Sequence, residues 1–327
     1  MLMFLPAGER ILQLVQTGCY QLDGLLLPNE DSIYIYDICP DSDAYFVADD
    51  ASRCVKLIAP SKRPVVTSIY QCGQKLHPRA LQLLPPVAGG GTTLLLVEWL
   101  EDGKQTECYS LVVAERSGET VTVKKRIPLT ALSKGERLDT VSMATTSGGF
   151  VLIGNSGAKS LEVIDTRKSS GIIRLAKPLP LDFKLSAFSL GTVDGRELMA
   201  ATEVTTRIVH ILQVEMANGA PKLRSLPTLT VGDENHQPLD RVLLFGSHVL
   251  LNVRHKSSGS HVVECLPISG SPQSSEPSQV LSVEQQVRIS CWRAADNRVL
   301  FFDVNHKQIS ILECVSCGVL YFQYVLL

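Results

Sequence analysis

The chain of 327 residues has no apolar run near the length of a membrane-spanning helix, about 18 residues or more. Its formal net charge is only −2, which argues against a general polyanion binder and so against nucleic acid as a partner. The two basic runs, Lys62-Arg63 and Lys124-Lys125-Arg126, are short and suit solvated strand edges. No N-x-S/T acceptor is present, and the opening MLMFLPAGER is apolar too briefly, with its charges after the run, to act as a signal peptide. The nine cysteines are odd in number and irregular in spacing. These points give the expectation of a reduced, intracellular compartment, cytoplasmic or nuclear.

Motifs of chemistry are equally sparse. There is no G-x-S-x-G elbow to expose a serine nucleophile. Cys314 and Cys317 have zinc-pair spacing, but a zinc site needs two more ligands and no second C-x-x-C follows. His236, His248, His255 and His261 do not make a ligand box. Gly89-Gly90-Gly91 lacks the helix and Lys-Ser/Thr of a phosphate loop, so it reads as a turn. No long amphipathic helix is visible; Ala131–Arg137 offers one helical turn at most.

What the chain does have is a repeat. Four segments align on one acidic or amide anchor: YFVADDASRCVKLI on Asp49, FVLIGNSGAKSLEVI on Asn155, LMAATEVTTRIVHIL on Glu203, and VLFFDVNHKQISIL on Asp303. An apolar run precedes each anchor. An aliphatic residue follows six places on (Val55, Leu161, Val209, Ile309), and a base four places on (Arg53, Lys159, Arg207, Lys307). Looser copies surround Glu98 and Asn252. Apolar runs suit strands buried on both faces, and the polar residues between them suit hairpin turns.

The anchors stand at 49, 98, 155, 203, 252 and 303, steps in the range of a four-strand propeller blade. A sheet apolar on both faces can bury them only against neighbouring sheets, and radial packing does this. With 45% hydrophobic residues there is core enough. The expectation is an all-β chain, 1–327, forming a single β-propeller of six blades with four antiparallel strands each; a seventh, partial blade from the two termini stays open. Residues 1–31 are expected to supply a ring-closing strand. The blades are expected at 33–70, 81–129, 138–179, 185–231, 242–283 and from 287 onward, with GVLYFQYVLL as the last strand. The Ser/Pro-rich 269–278 is expected to be a mobile loop.

The candidate binding residues are the anchors Asp49, Glu98, Asn155, Glu203, Asn252 and Asp303, with Trp99, which follows an anchor strand. Converging on an axis, such oxygens could hold Ca²⁺. Serving their own turns, they would be structural, as Asx side chains often are, with the base at plus four as a local, solvated partner.

FVADDASRCVKLI and FFDVNHKQISIL resemble the strand–turn–strand of NHL and related TolB-like six-bladed propellers. In that family an Asp ends one strand and an aliphatic residue opens the next six later. The base departs from the pattern, standing four after the Asp and not directly before the aliphatic position. The WD40 marks, a Gly-His pair and a closing Trp-Asp, are absent, as is the kelch double glycine. The resemblance implies a six-bladed ring with binding on its faces, and no catalytic residue carries over. The expected function is a non-catalytic scaffold, or subunit of a complex, that binds other proteins and needs no cofactor. The alternative is a lactonase- or esterase-like hydrolase with a divalent ion, of the Ca²⁺ type, in the central channel.

Overall fold

The structure is a computed structural model. It describes residues 13–21, 34–41, 44–59, 65–84, 91–101, 108–118, 120–130, 132, 140–167, 173–231, 241–254, 256, 261–268, 278–281, 289–295, 298–303 and 308–315. The expected terminal strand 318–327, loop residues 269–277, Lys62, Arg63, His236, His255 and Cys317 lie outside them.

The chain is an all-β propeller of antiparallel sheets. A first strand, β1 (Gln13–Gln21), precedes five blades made from consecutive strands. The first blade is β2 (Ile35–Pro40), β3 (Tyr45–Asp49), β4 (Cys54–Ala59) and β5 (Val65–Gln71). The second is β6 (Leu76–Leu84), β7 (Thr92–Leu100), β8 (Cys108–Ser117) and β9 (Thr120–Pro128). The third is β10 (Val141–Thr145), β11 (Phe150–Asn155) and β12 (Ser160–Asp165), with β13 (Arg174–Leu175) and β14 (Leu179–Pro180) sharing its outer edge. The fourth is β15 (Leu185–Val193), β16 (Arg196–Glu203) and β17 (Ile208–Ala217), edged by β18 (Ala220–Ser225) and β19 (Leu229–Thr230). The fifth is β20 (Val242–Phe245), β21 (His248–Arg254), β22 (His261–Pro267) and β23 (Ser278–Leu281). A sixth sheet joins β24 (Ile289–Ala295), β25 (Arg298–Asp303) and β26 (Gln308–Val315) to β1, which pairs antiparallel with β26. No seventh sheet occurs among the described residues.

The first strand of each sheet packs on the first strands of its neighbours. β24 meets β2, β2 meets β6, β6 meets β10, β10 meets β15, β15 meets β20, and β20 returns to β24. That circuit defines an axis. Between the sheets lie apolar layers. Successive residues of a strand point to opposite faces, so β3 sends Tyr45 and Val47 toward the sixth sheet and Phe46 and Ala48 toward the second blade. All five β3 residues are buried, which explains its unbroken apolar run.

Two tight turns show the backbone that their residues favour. Val193-Asp194-Gly195-Arg196 closes the β15–β16 hairpin, with both central residues at positive φ, 49° and 72°. Asn218-Gly219 closes β17–β18 in the same way, at 53° and 76°. The second blade departs from expectation by starting at Leu76, not Leu81. Pro78 hid the strand. It sits on the innermost strand beside a register shift, where its missing N–H breaks no ladder. Among the described residues no helix is long and apolar enough to cross a membrane.

Gly154 shows how tightly the layers close. A Cβ there would stand 2.5 Å from Leu185 Cδ2 and 2.7 Å from Leu161 Cδ2, inside the layer between the third and fourth blades. Gly154→Ala is expected to destabilise the fold by about 1–3 kcal/mol through overpacking. Chemical denaturation would read this as a lower midpoint at unchanged slope.

Candidate functional site

The anchors occupy one register position. Asp49 pairs with Ile35, Glu98 with Pro78, Asn155 with Val141, Glu203 with Leu185, and Asp303 with Ile289, each opposite the opening of an innermost strand. They therefore share one rim, but their side chains have separate tasks. Asp49 is fully buried; its Oδ1 accepts from Tyr34 N at 3.0 Å and Ala51 N at 3.1 Å. Its Oδ2 lies 2.8 Å from Lys56 Nζ, with both side chains fully buried. Lys56 stands seven places after the anchor. The base at plus four, Arg53, turns instead to Glu101, 3.7 Å away. That expected partner is thus corrected: a solvated base offers less to a buried carboxylate than a lysine already on the facing strand.

The other anchors are also committed within the blades. Tyr70 Oη donates to Glu98 Oε1 at 2.8 Å, Arg126 Nη1 donates to Glu98 Oε2, and Arg126 Nη2 donates to Tyr70 Oη at 2.7 Å. This network ties the first blade to the second. Burial, then the bond to Glu98, push the Tyr70 phenol well above its usual range. Asn155 Nδ2 donates to Leu132 O at 3.0 Å. Glu203, only partly buried, accepts from Thr206 Oγ1 at 3.3 Å and lies 3.5 Å from His210, again seven places on. Asn252 is buried on β21. Asp303 holds the same register, and its side chain lies outside the described residues.

Trp99 belongs to a different cluster. The Arg79 guanidinium lies over the Tyr36 ring at 4.0 Å and over the Trp99 ring at 4.7 Å. Tyr34, 38% exposed, packs on Tyr36 with centroids 5.1 Å apart. His77 stands beside Trp99 at 5.2 Å, with Nδ1 2.7 Å from Asp50 Oδ1 and Nε2 3.2 Å from Glu101 Oε2. Aromatic rings, a guanidinium and two carboxylates thus crowd the rim over the first two blades.

The axis holds a group that the repeat did not reveal. Arg293 of β24 reaches across to three blades. Its Nε donates to Ile38 O at 3.2 Å, its Nη1 to Gln82 Oε1 at 3.1 Å and Met143 O at 2.9 Å, and its Nη2 to Asp37 Oδ2 at 2.8 Å and Leu81 O at 2.7 Å. Asp37 also accepts from Leu81 N at 2.8 Å and Ile38 N at 2.9 Å. Burial raises its carboxyl above the usual range; Arg293 and those N–H groups pull it back only in part. Ser142 Oγ accepts from Phe188 N and Ser189 Oγ from Leu244 N, both at 3.2 Å, continuing the stitching between blades. Burial also raises the nearby Cys39 thiol to about 11 and Cys265 to about 12, so both are protonated and inert near neutral pH. The signal for the axis was present in IYIYDI and CWRAA: a lone charge inside a strand that should be apolar. No group of His, Cys, Asp and Glu suited to a metal ion occurs among the described residues.

The fold and its sites define a β-propeller. No family model matches the sequence, and no curated protein does either. Among solved structures, the chain is similar to a protein assigned as an oxidoreductase (glucose dehydrogenase) from Thermus thermophilus, at 10% identity and TM-score 0.56, covering 92% of this chain and 99% of that one. It is similar to a protein assigned as a 6-phosphogluconolactonase from Bacteroides fragilis, at 12% identity and TM-score 0.58, covering 85% and 79%. A protein from Lactobacillus plantarum is similar at 10% identity and TM-score 0.57, covering 86% and 83%. At such identities the likeness shows the fold alone.

The buried charges can be tested one by one. Arg293→Met should cost about 3–5 kcal/mol, because it strands Asp37 and three carbonyls. Arg293→Lys should recover only part of this, since an ammonium cannot span three carbonyls. A lysine variant as stable as wild type in urea titrations would show that charge alone matters. Lys56→Met should also cost about 3–5 kcal/mol, and Asp49→Asn added to it should restore stability, because Asn keeps an acceptor without an unpaired charge. A double-mutant cycle by the same titration measures that coupling.

Proposed function

We propose that this chain is an intracellular, non-catalytic propeller that binds other proteins, and that the rim over its first two blades is the docking surface. The carrying observation is the Tyr36–Arg79–Trp99 stack, with Tyr34 exposed beside it. Trp, Tyr and Arg are the residue types that dominate binding energy at interfaces. Arg79, itself buried, packs on both rings, so little side-chain entropy remains for them to lose on docking. Around the stack stand Asp50, Glu101 and Arg53, a charged border suited to orienting a partner.

We further infer that the sixth sheet is a sixth blade, closed by β1, which gives the six-bladed ring of the NHL and TolB-like kind. The circuit of six first strands supports this. The competing hydrolase reading needs carboxylates converging on a divalent ion. Asp49 and Glu98 are spent on Lys56, Tyr70 and Arg126 inside the blades, and the channel carries Arg293 and Arg241 against Asp37. Two guanidiniums oppose a divalent cation there.

The test is capture from cell extract on the immobilised full chain, with quantitative mass spectrometry. Wild type should retain a discrete set of proteins. Trp99→Ala should lose that set, as expected for a residue worth about 2 kcal/mol or more. Glu115→Ala, which removes the exposed pair with Lys124, should keep it. Equal capture by all three, with unchanged melting, would remove the rim from the proposal. A stoichiometric divalent ion whose addition raises the melting temperature, together with ester or lactone hydrolysis, would replace the proposal with the enzyme.

A further inference from the structure

Beside Arg293 the axis opens into a cavity of about 100 Å³, bounded by β2, β10, β15, β20 and β24. One water needs only about 10–15 Å³ on the same measure, so the space admits several waters or one small organic ligand. Its walls differ in character. Met143, Ala144, Phe188, Leu190, Val242 and Leu243 give the lining its apolar part. Asp37, Arg293 and Arg241 give it charge, and Ser142 and Ser189 add hydroxyls.

The two arginines are not equivalent. Arg293 spends all five of its N–H donors on protein acceptors. It contributes charge to the cavity but has no donor to spare. Arg241, half-buried at the start of the fifth blade's inner strand, has no hydrogen bond or ion pair among the described residues. Its field reaches Asp37. Among the described lining residues, two guanidiniums against one carboxylate leave a surplus of one positive charge.

We propose that the axial cavity is a binding site for a small monocarboxylate with a short apolar tail, its carboxylate held by Arg241 and its tail lying against Ala144, Phe188 and Val242. A single negative charge balances the surplus. A phosphate dianion would exceed it and face Asp37 and an apolar wall. A cation would meet two guanidiniums. The planar, two-toothed carboxylate matches the fork of a guanidinium. The apolar wall gives the tail a surface that water covers poorly. The site does not depend on the rim: it requires only Arg241, the cavity and the apolar wall.

The experiment uses the full chain and three probes at matched ionic strength: butyrate, butyramide and inorganic phosphate. Binding is read as a shift in melting temperature and by ligand-observed NMR. Butyrate is expected to give a saturable rise, while butyramide, of the same shape without the charge, and phosphate give none. Arg241→Gln should weaken butyrate roughly ten- to a hundredfold, the loss of a charge-assisted pair, with apo melting unchanged. Ala144→Leu leaves Arg241 in place but fills the tail space, and should also abolish the shift. The proposal falls if butyrate gives no saturable response, if butyramide matches it, or if Arg241→Gln binds as wild type does. A response shared by butyrate and phosphate would mean an ionic effect without a shaped site, and would overturn it as well. None of these outcomes bears on protein capture at the rim, so the two proposals fail separately.

Discussion

The ring depends on how its innermost strands satisfy their inward edge. In a closed propeller the first strand of every blade is an edge strand facing the axis, and its inward carbonyls and N–H groups have no ladder partner. Arg293 answers this for three neighbours at once. Its guanidinium donates to carbonyls of Ile38, Leu81 and Met143 and to the side chains of Asp37 and Gln82. No other side chain has five donors in one rigid fork and no acceptor to leave unsatisfied. Asp37 does the converse and accepts from the N–H of Leu81, while Ser142 and Ser189 do the same for Phe188 and Leu244. The axis is therefore a polar staple inside an apolar ring. A staple of this kind brings specificity more than net stability, because desolvation of both charges offsets much of their attraction.

A second polar layer sits one strand further out. Asp49 with Lys56, and Glu98 with Tyr70 and Arg126, place charge where the apolar layers would otherwise be continuous. Such pairs penalise a slipped register, since a shift of one residue moves each charge to the opposite face and away from its partner. The repeat thus encodes alignment as well as burial.

The parts of the fold that were legible are those set by period and local turn chemistry. Apolar runs, Asp194-Gly195 and the anchor positions translate directly into β3, β11, β16, β25 and the hairpins between them. What was not legible depended on contacts distant in sequence. The anchor of the first blade pairs with the residue seven places on, not with the base four places on, because the strand after the turn brings position seven back beside it. A polar residue recurs there, in Lys56, Glu162, His210 and Ser310, within otherwise apolar strands, and that pattern could have been read. The innermost strand of the second blade was hidden by Pro78, and with it His77 and Arg79 of the rim cluster. Arg293 and Asp37 are separated by nearly the whole chain, and nothing local joins them.

The repeat itself suggests where function should be sought. Residues shared by every blade are explained by what every blade must do, which is to close its turn and pack on two neighbours. The axis breaks that equivalence. The position of Arg293, opposite Leu300, is held by Cys39, Gln82, Ala144, Ser189 and Leu244 in the five blades. The position of Asp37, opposite Ala48, is held by Ala80, Ser142, Ala187, Val242 and Cys291. One residue of each set is charged and the rest are small, apolar or neutral. The rim breaks it too, since Tyr36 and Arg79 occupy matching register shifts in the first two blades and meet there over Trp99. Arg293 and Asp37 serve the inward edge of the ring, whereas packing the ring calls for neither the rim stack nor Arg241. The proposed docking at the rim and the proposed ligand at the axis would give the aromatic–guanidinium stack and Arg241 a role that the ring itself does not supply.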